Sequence, residues 1–209
     1  MVVQHVSMAD VTGPSDRLLD CVLGLLVADG YEGISIRRVA AAAGVSIGAV
    51  QHHFPTKDAL LAAAMDRVSQ QFQERLERRL APGAGPAEVL RAVAGELLGT
   101  GEERRPASVI WLVRMARAAV HGPTAEVHRR GWQQVEDLLV ALIAAVRPDL
   151  AEQAARDEAT LLLALLDGLA GAVAVEPGRL PGERAEALLA RHLDALVDPA
   201  SAERPARGR

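Results

Sequence analysis

Residues 39–61 read VAAAAGVSIGAVQHHFPTKDALL. A run of alanines meets Gly44, Val45 and Ser46 follow, and a short polar segment with two adjacent histidines comes next. Only after Phe54-Pro55-Thr56 does a long helical pattern begin. No other feature constrains the fold as much. Glycine supplies the left-handed residue that ends a helix, serine is a favoured first cap of a new one, and proline stops it again. Two short helices are predicted, 36–43 behind a Ser35 cap and 47–53 behind a Ser46 cap. The first turns Ile36, Val39, Ala40 and Ala43 inward. The second spares only Val50 and Phe54 for a core, so its outer face is left for contact with something else.

The rest of the chain is also written in helices. From Pro14, the positions Leu18, Leu19, Val22, Leu25 and Leu26 repeat at helical spacing up to Asp29-Gly30. Thr56 caps a helix reaching about Leu80, and APGAGP at 81–86 breaks the chain. Further helices are predicted at about 87–99, 105–120, 124–146, 149–175 and 182–197. Half of the 209 residues are hydrophobic but only five are aromatic, so Leu, Ala, Val and Ile must build the core, and Ala and Leu favour helix. The expected fold is all-α. A flexible arm spans 1–13, an N-terminal three-helix domain with the helix-turn-helix at about 35–54 lies within 14–80, a helical bundle spans 81–197, and a disordered tail spans 198–209.

Several classes are disfavoured. Cys21 is the only cysteine, which excludes an intrachain disulfide and points to a reducing compartment. The first residues lack a basic and apolar leader, and the apolar run 161–175 reads as too short for a bilayer and contains Asp167. A cytoplasmic protein with no membrane partner is expected. Neither a phosphate loop nor a Cys/His metal set occurs. His52 and His53 point about 100° apart on a helix, so they make no metal pair. No catalytic residue, metal or cofactor is expected.

Two helices joined by a short glycine turn form a helix-turn-helix, whose second helix enters the DNA major groove. The segment GYEGISIRRVAAAAGVSIGAVQHHFPTKDALL carries the ordered set Gly30, Gly44-Val45-Ser46, Gly48, His53-Phe54, Lys57 and Leu60. In this set the chain, over about residues 16–65, resembles the TetR family of transcriptional regulators. The resemblance implies that Ser35, Arg37 and Arg38 meet phosphates, that Ser46, Ile47, Gly48, Ala49, Gln51 and His52 face the groove, and that His53 and Lys57 hold the DNA backbone. Gln51 stands where the family commonly has tyrosine. Glutamine bonds adenine in a bidentate way, which makes Gln51 a base reader. Lys57 is the single lysine among 23 basic residues, and residues 14–80 carry eight basic and eight acidic groups. One copy would therefore bind DNA weakly, and a homodimer on a double-stranded palindromic operator is expected.

For that dimer the apolar stripe Leu162, Leu166, Leu169 and Val173 offers an interface, joined by Leu189, Leu193 and Leu196 of the last helix. A second stripe, Leu161, Leu165, Gly168 and Ala172, runs beside the first. A deep core within one chain is the alternative for both. The resemblance also implies a small-molecule effector enclosed by the middle helices, where Trp111, Arg114, Met115, His121, His128 and Trp132 lie. Ordinary core packing of the tryptophans and a cap on a helix C-terminus at His121 compete with that role. The patterning of 105–175 loosely resembles the C-terminal domain of betaine-type repressors. The expected function is a ligand-responsive regulator, probed against a rival: a helical ligand-binding protein or enzyme whose helix-turn-helix is vestigial.

Overall fold

The computed structural model describes residues 14–101 and 103–198. The arm expected at 1–13, and the expected tail beyond Asp198, lie outside the described residues. Among those described, nine α-helices and no strand occur. Two compact units divide the chain, residues 1–69 and 70–209. The division falls inside a helix, ahead of the glycine- and proline-rich break at 81–86, because 70–79 contains no helix breaker and its Phe72 and Leu76 pack on the second core.

The first unit holds α1 (Pro14–Asp29), α2 (Ile36–Ala43), α3 (Ile47–His53) and the first half of α4 (Lys57–Arg79). Its core is Leu18, Leu19, Val22, Leu23, Leu26, Ile34, Val39, Ala40, Val50, Phe54, Leu60 and Ala64. Leu23 occupies the buried position expected of Leu25, which is only partly covered. The turn between α2 and α3 follows the local chemistry of its residues. The Ser35 hydroxyl accepts from the Arg38 N–H at 3.2 Å, and Ser46 accepts from the Ala49 N–H at 3.1 Å. Gly44 sits at φ 68°, where its N–H reaches the carbonyls that α2 leaves open. A side chain there would incur the left-handed penalty.

The second unit holds the rest of α4, with α5 (Pro86–Leu98), α6 (Arg105–Ala118), α7 (Gly122–Val146), α8 (Glu152–Val175) and α9 (Gly182–Val197). Helix α5 is its axis, with Leu90, Ala92, Val93, Ala94 and Leu98 all buried and neighbours in α7, α8 and α9. One acid lies among them. Glu96 has a side chain 1% exposed and is met by Arg75 from α4 and by Arg104 ahead of α6. Burial alone would raise the Glu96 pKa, but the hydrogen bonds and charges of Arg104 and Arg75 outweigh it and hold the carboxyl below its ordinary range. A buried carboxylate without such partners would be strongly destabilising.

Helix α8 is longer than the apolar run seen in sequence. By length and composition it is apolar enough to cross a bilayer, contrary to the expectation that it is too short. Its Ala155, Ala159, Leu162, Leu163, Leu166, Leu169 and Ala170 are instead buried in the core of this unit. Such burial is the behaviour of a central bundle helix.

Candidate nucleic-acid interface and ligand site

Helix α3 has seven residues and buries one of them. Val50 is 0% exposed and Phe54, just beyond the helix, is 8% exposed. Each anchor contributes about 1.5–3 kcal/mol by leaving water. Every other residue of the helix, Ile47, Gly48, Ala49, Gln51, His52 and His53, is exposed, together with Val45 and Ser46 before it. The expected groove-facing residues thus share one open surface. Ile47 and Val45 stand out as exposed large apolar groups on it, suited to apolar contact such as a thymine methyl. The His52 and His53 rings meet edge to face at 5.4 Å. No group of three or more potential metal ligands occurs among the described residues.

The expected phosphate contacts fall into two kinds. Arg37 projects into solvent at the start of α2. Ser35 and Ser46 serve as caps, and a hydroxyl that accepts in this way keeps its own hydrogen to donate. Arg38 and Lys57 are engaged within the protein. Arg38 donates to the Asp29 carboxylate at 2.5 Å and to the Gly33 carbonyl at 2.9 Å. Lys57 donates to the Tyr31 carbonyl at 2.9 Å, with its ammonium 4.0 Å from the centre of the Tyr31 ring. For Arg38, the guanidinium expected at a phosphate pairs with an acid of the same domain.

In the second unit, α6, α7 and α8 bring together four side chains with polar tips, Trp111, His128, Trp132 and Asp167. Trp111 and Trp132 lie stacked, with centroids 6.2 Å apart, and His128 sits 5.4 Å from Trp132. The Trp132 indole N–H donates to Asp167 at 3.3 Å, while the buried Nε1 of Trp111 has no hydrogen-bond partner. Burial pushes the Asp167 carboxyl above its ordinary range, the Trp132 N–H opposing the shift. Burial also lowers the His128 pKa, and the nearby Arg114 charge adds to the effect. The imidazole is therefore neutral at pH 7. Arg114 donates to the Val127 carbonyl at 2.9 Å and so ties α6 to α7. Met115 is exposed. His121 does not cap the end of a helix as expected: its ring is the N-cap of α7, accepting from the Thr124 N–H. Asp167 was missed as a site residue. The signal was available, since it is the only charged residue from 159 to 175.

The dimer stripe also needs correction. Leu162, Leu166, Leu169, Leu189, Leu193 and Leu196 are buried in the core of their own unit, and Val173 packs against it. The six leucines are closed off inside their own unit, whereas Val173 is only partly buried. The side of α8 left open is the other one, with Leu161 60% and Val175 68% exposed and Ala164 and Gly168 exposed between them.

Comparisons with known proteins agree with this architecture. Residues 18–64 match the family model of bacterial regulatory proteins of the tetR family, and residues 86–198 match that of the C-terminal domain of BetI-type transcriptional repressors. The HTH-type transcriptional regulator PksA of Bacillus subtilis is 30% identical, over 86% of this chain and 88% of its own. BetI of Burkholderia mallei is 32% identical, over 88% and 93%. A transcriptional regulator of Rhodococcus sp. Rha1, known from its crystal structure, superposes with a TM-score of 0.75 at 34% identity, over 89% and 96% of the two chains. A regulator of Saccharomonospora viridis in complex with choline shares the fold, with a TM-score of 0.73 at 20% identity over 86% and 95%. With a tetR-type head before a BetI-type domain, and relatives matched over nearly their full length, this chain is a transcriptional regulator of the TetR family.

Proposed function

We propose that the protein is a homodimeric repressor that binds a palindromic operator through α3 and releases it on binding a small organic cation. The observation that carries this reading is the solvent-open face of α3 on two buried anchors. A vestigial motif would have no reason to keep that face uncovered. Homodimerisation draws support from the outward side of α8, where Leu161, Ala164, Gly168 and Val175 are exposed at helical spacing. Gly168 there lets a second helix approach closely. Operator half-sites then lie about 34 Å, or a multiple of it, apart. Such a protein acts in the cytoplasm, where the DNA is.

The cation reading rests on Trp111, Trp132 and Asp167. Indole faces attract cations, and a half-buried carboxylate gains from a positive partner. The choline carried by the Saccharomonospora regulator is of this class. An effector that favours a spacing of the two heads unsuited to successive grooves weakens DNA binding by roughly 5–150-fold, for a coupling of ~1–3 kcal/mol.

Selection of genomic fragments with the purified protein, at low and moderate salt, tests the reading. A sequence with dyad symmetry should be enriched, binding should weaken steeply with salt, and choline, used as the probe cation, should reduce it. Failure to enrich any sequence at moderate salt removes the proposal.

A further inference from the structure

Arg38 and Lys57 come from the two helices that flank α3 in the chain, and both reach the same turn. That turn, residues 30–33, links α1 to α2. Arg38 crosses from α2 to Asp29, the last residue of α1, and to the Gly33 carbonyl at the far end of the turn. Lys57, the first residue of α4, reaches the middle of the turn through the Tyr31 carbonyl and ring. The turn is itself closed tightly. A side chain at Gly33 would place its Cβ 2.3 Å from the Asp29 Cβ and 2.9 Å from the Asp29 carbonyl oxygen. Helix α3 has a single buried side chain of its own, so its direction is set by what holds its neighbours.

We infer that Arg38 and Lys57 are positioning residues for DNA binding, and that Asp29, an acid, is needed for tight operator recognition because it holds Arg38. The inference rests on the DNA-binding reading above. It departs from a simple phosphate contact in sign. A carboxylate close to a DNA-facing surface repels phosphates, so on charge alone its removal strengthens binding. If Asp29 anchors the mount of α3, its removal weakens binding instead.

The experiment uses the full chain and the duplex that the wild-type protein enriches, with a scrambled duplex of equal length beside it. If the wild type enriches nothing, the DNA-binding reading fails, and the outcome says so before any variant is made. Otherwise Asp29→Ala should bind the enriched duplex about 3- to 10-fold more weakly and lose less on the scrambled one. Asp29→Asn carries the same charge as the alanine variant but keeps an oxygen that accepts from Arg38, so it should recover part of the loss. Arg38→Ala should weaken binding with the slope of log affinity against log salt unchanged, whereas a lost phosphate contact reduces that slope by about 1. Thermal unfolding followed by circular dichroism establishes that each variant is folded at the assay temperature. Unchanged or tighter binding by Asp29→Ala, equal losses on both duplexes, or identical behaviour of the alanine and asparagine variants overturns the inference.

Discussion

Arg104 grips both oxygens of Glu96, with Nη2 2.8 Å from Oε1 and Nε 3.2 Å from Oε2, while Arg75 Nε approaches Oε2 at 2.7 Å from the other side. This pairing brings α4, α5 and the residue before α6 to one point. Removing the carboxylate leaves Arg75, itself largely buried, without its counter-charge. Glu96→Ala should therefore destabilise the protein by about 3–5 kcal/mol, as breaking a buried pair does, measured by urea unfolding. The pH dependence has a defined sign. The folded pKa lies below the ordinary 4.5, so the stabilisation is fully present above that value and is lost as pH falls through the folded pKa. Glu96→Gln should flatten this acid limb of the stability curve.

Asp167 has the opposite sign. Its folded pKa is raised above 3.8 by burial, so its contribution is full below that value and is lost as pH rises through the folded pKa. Asp167→Asn should melt higher than the wild type at neutral pH and lose this dependence. A bound organic cation favours the ionised form, so choline should bind more tightly near neutrality than in mild acid. Calorimetric titration at both pH values checks this, and the Asn variant should bind weakly at each.

Gly44 and Gly33 should resist substitution for different reasons. At Gly44 a Cβ meets open space, but φ is 68°, and alanine there should cost about 1–2 kcal/mol of backbone energy. At Gly33 the obstacle is the Cβ and the carbonyl of Asp29, and overpacking should cost about 1–3 kcal/mol. Thermal melts separate the two through a rescue. Asparagine, which tolerates the left-handed region, should recover part of the loss at position 44 and none at 33.

The two sides of α8 should give distinct phenotypes. Leu161→Asp, on the open side, should leave the fold intact and yield monomers in sedimentation velocity, with operator binding lost. Leu166→Ala, on the buried side, should lower stability by about 2–5 kcal/mol without specifically changing the subunit count of the folded fraction.

On α3, Gln51→Ala should relax preference at one base pair in each half-site, by roughly 1–3 kcal/mol. Arg37→Ala should weaken all duplexes about equally and reduce the salt slope by about 1. Binding-site selection at several salt concentrations measures both.

The head was legible residue by residue because its boundaries are local. Ser35, Gly44, Ser46 and Pro55 act on their nearest neighbours, and the structure begins and ends α2 and α3 where they indicate. What escaped the sequence is tertiary. Both sides of α8 are apolar, and a 3.6-residue period cannot say which side its own chain covers. The Asp29 partner of Arg38 and the Tyr31 partner of Lys57 lie 9 and 26 residues away in sequence, with no spacing rule to join them. Glu96 is one of two acids in a mostly apolar helix, and only the arrival of Arg75 and Arg104 from elsewhere in the chain explains its burial.

The lone anchor of α3 bears on how such a regulator could change its target. Six of the seven residues from Ile47 to His53 owe nothing to the core, and substitutions at such positions usually shift stability by no more than ±0.5 kcal/mol. If α3 reads bases as proposed, the letters it recognises can be rewritten while the frame around it stays as it is, so new addresses on the genome lie within reach of single replacements that leave folding untouched.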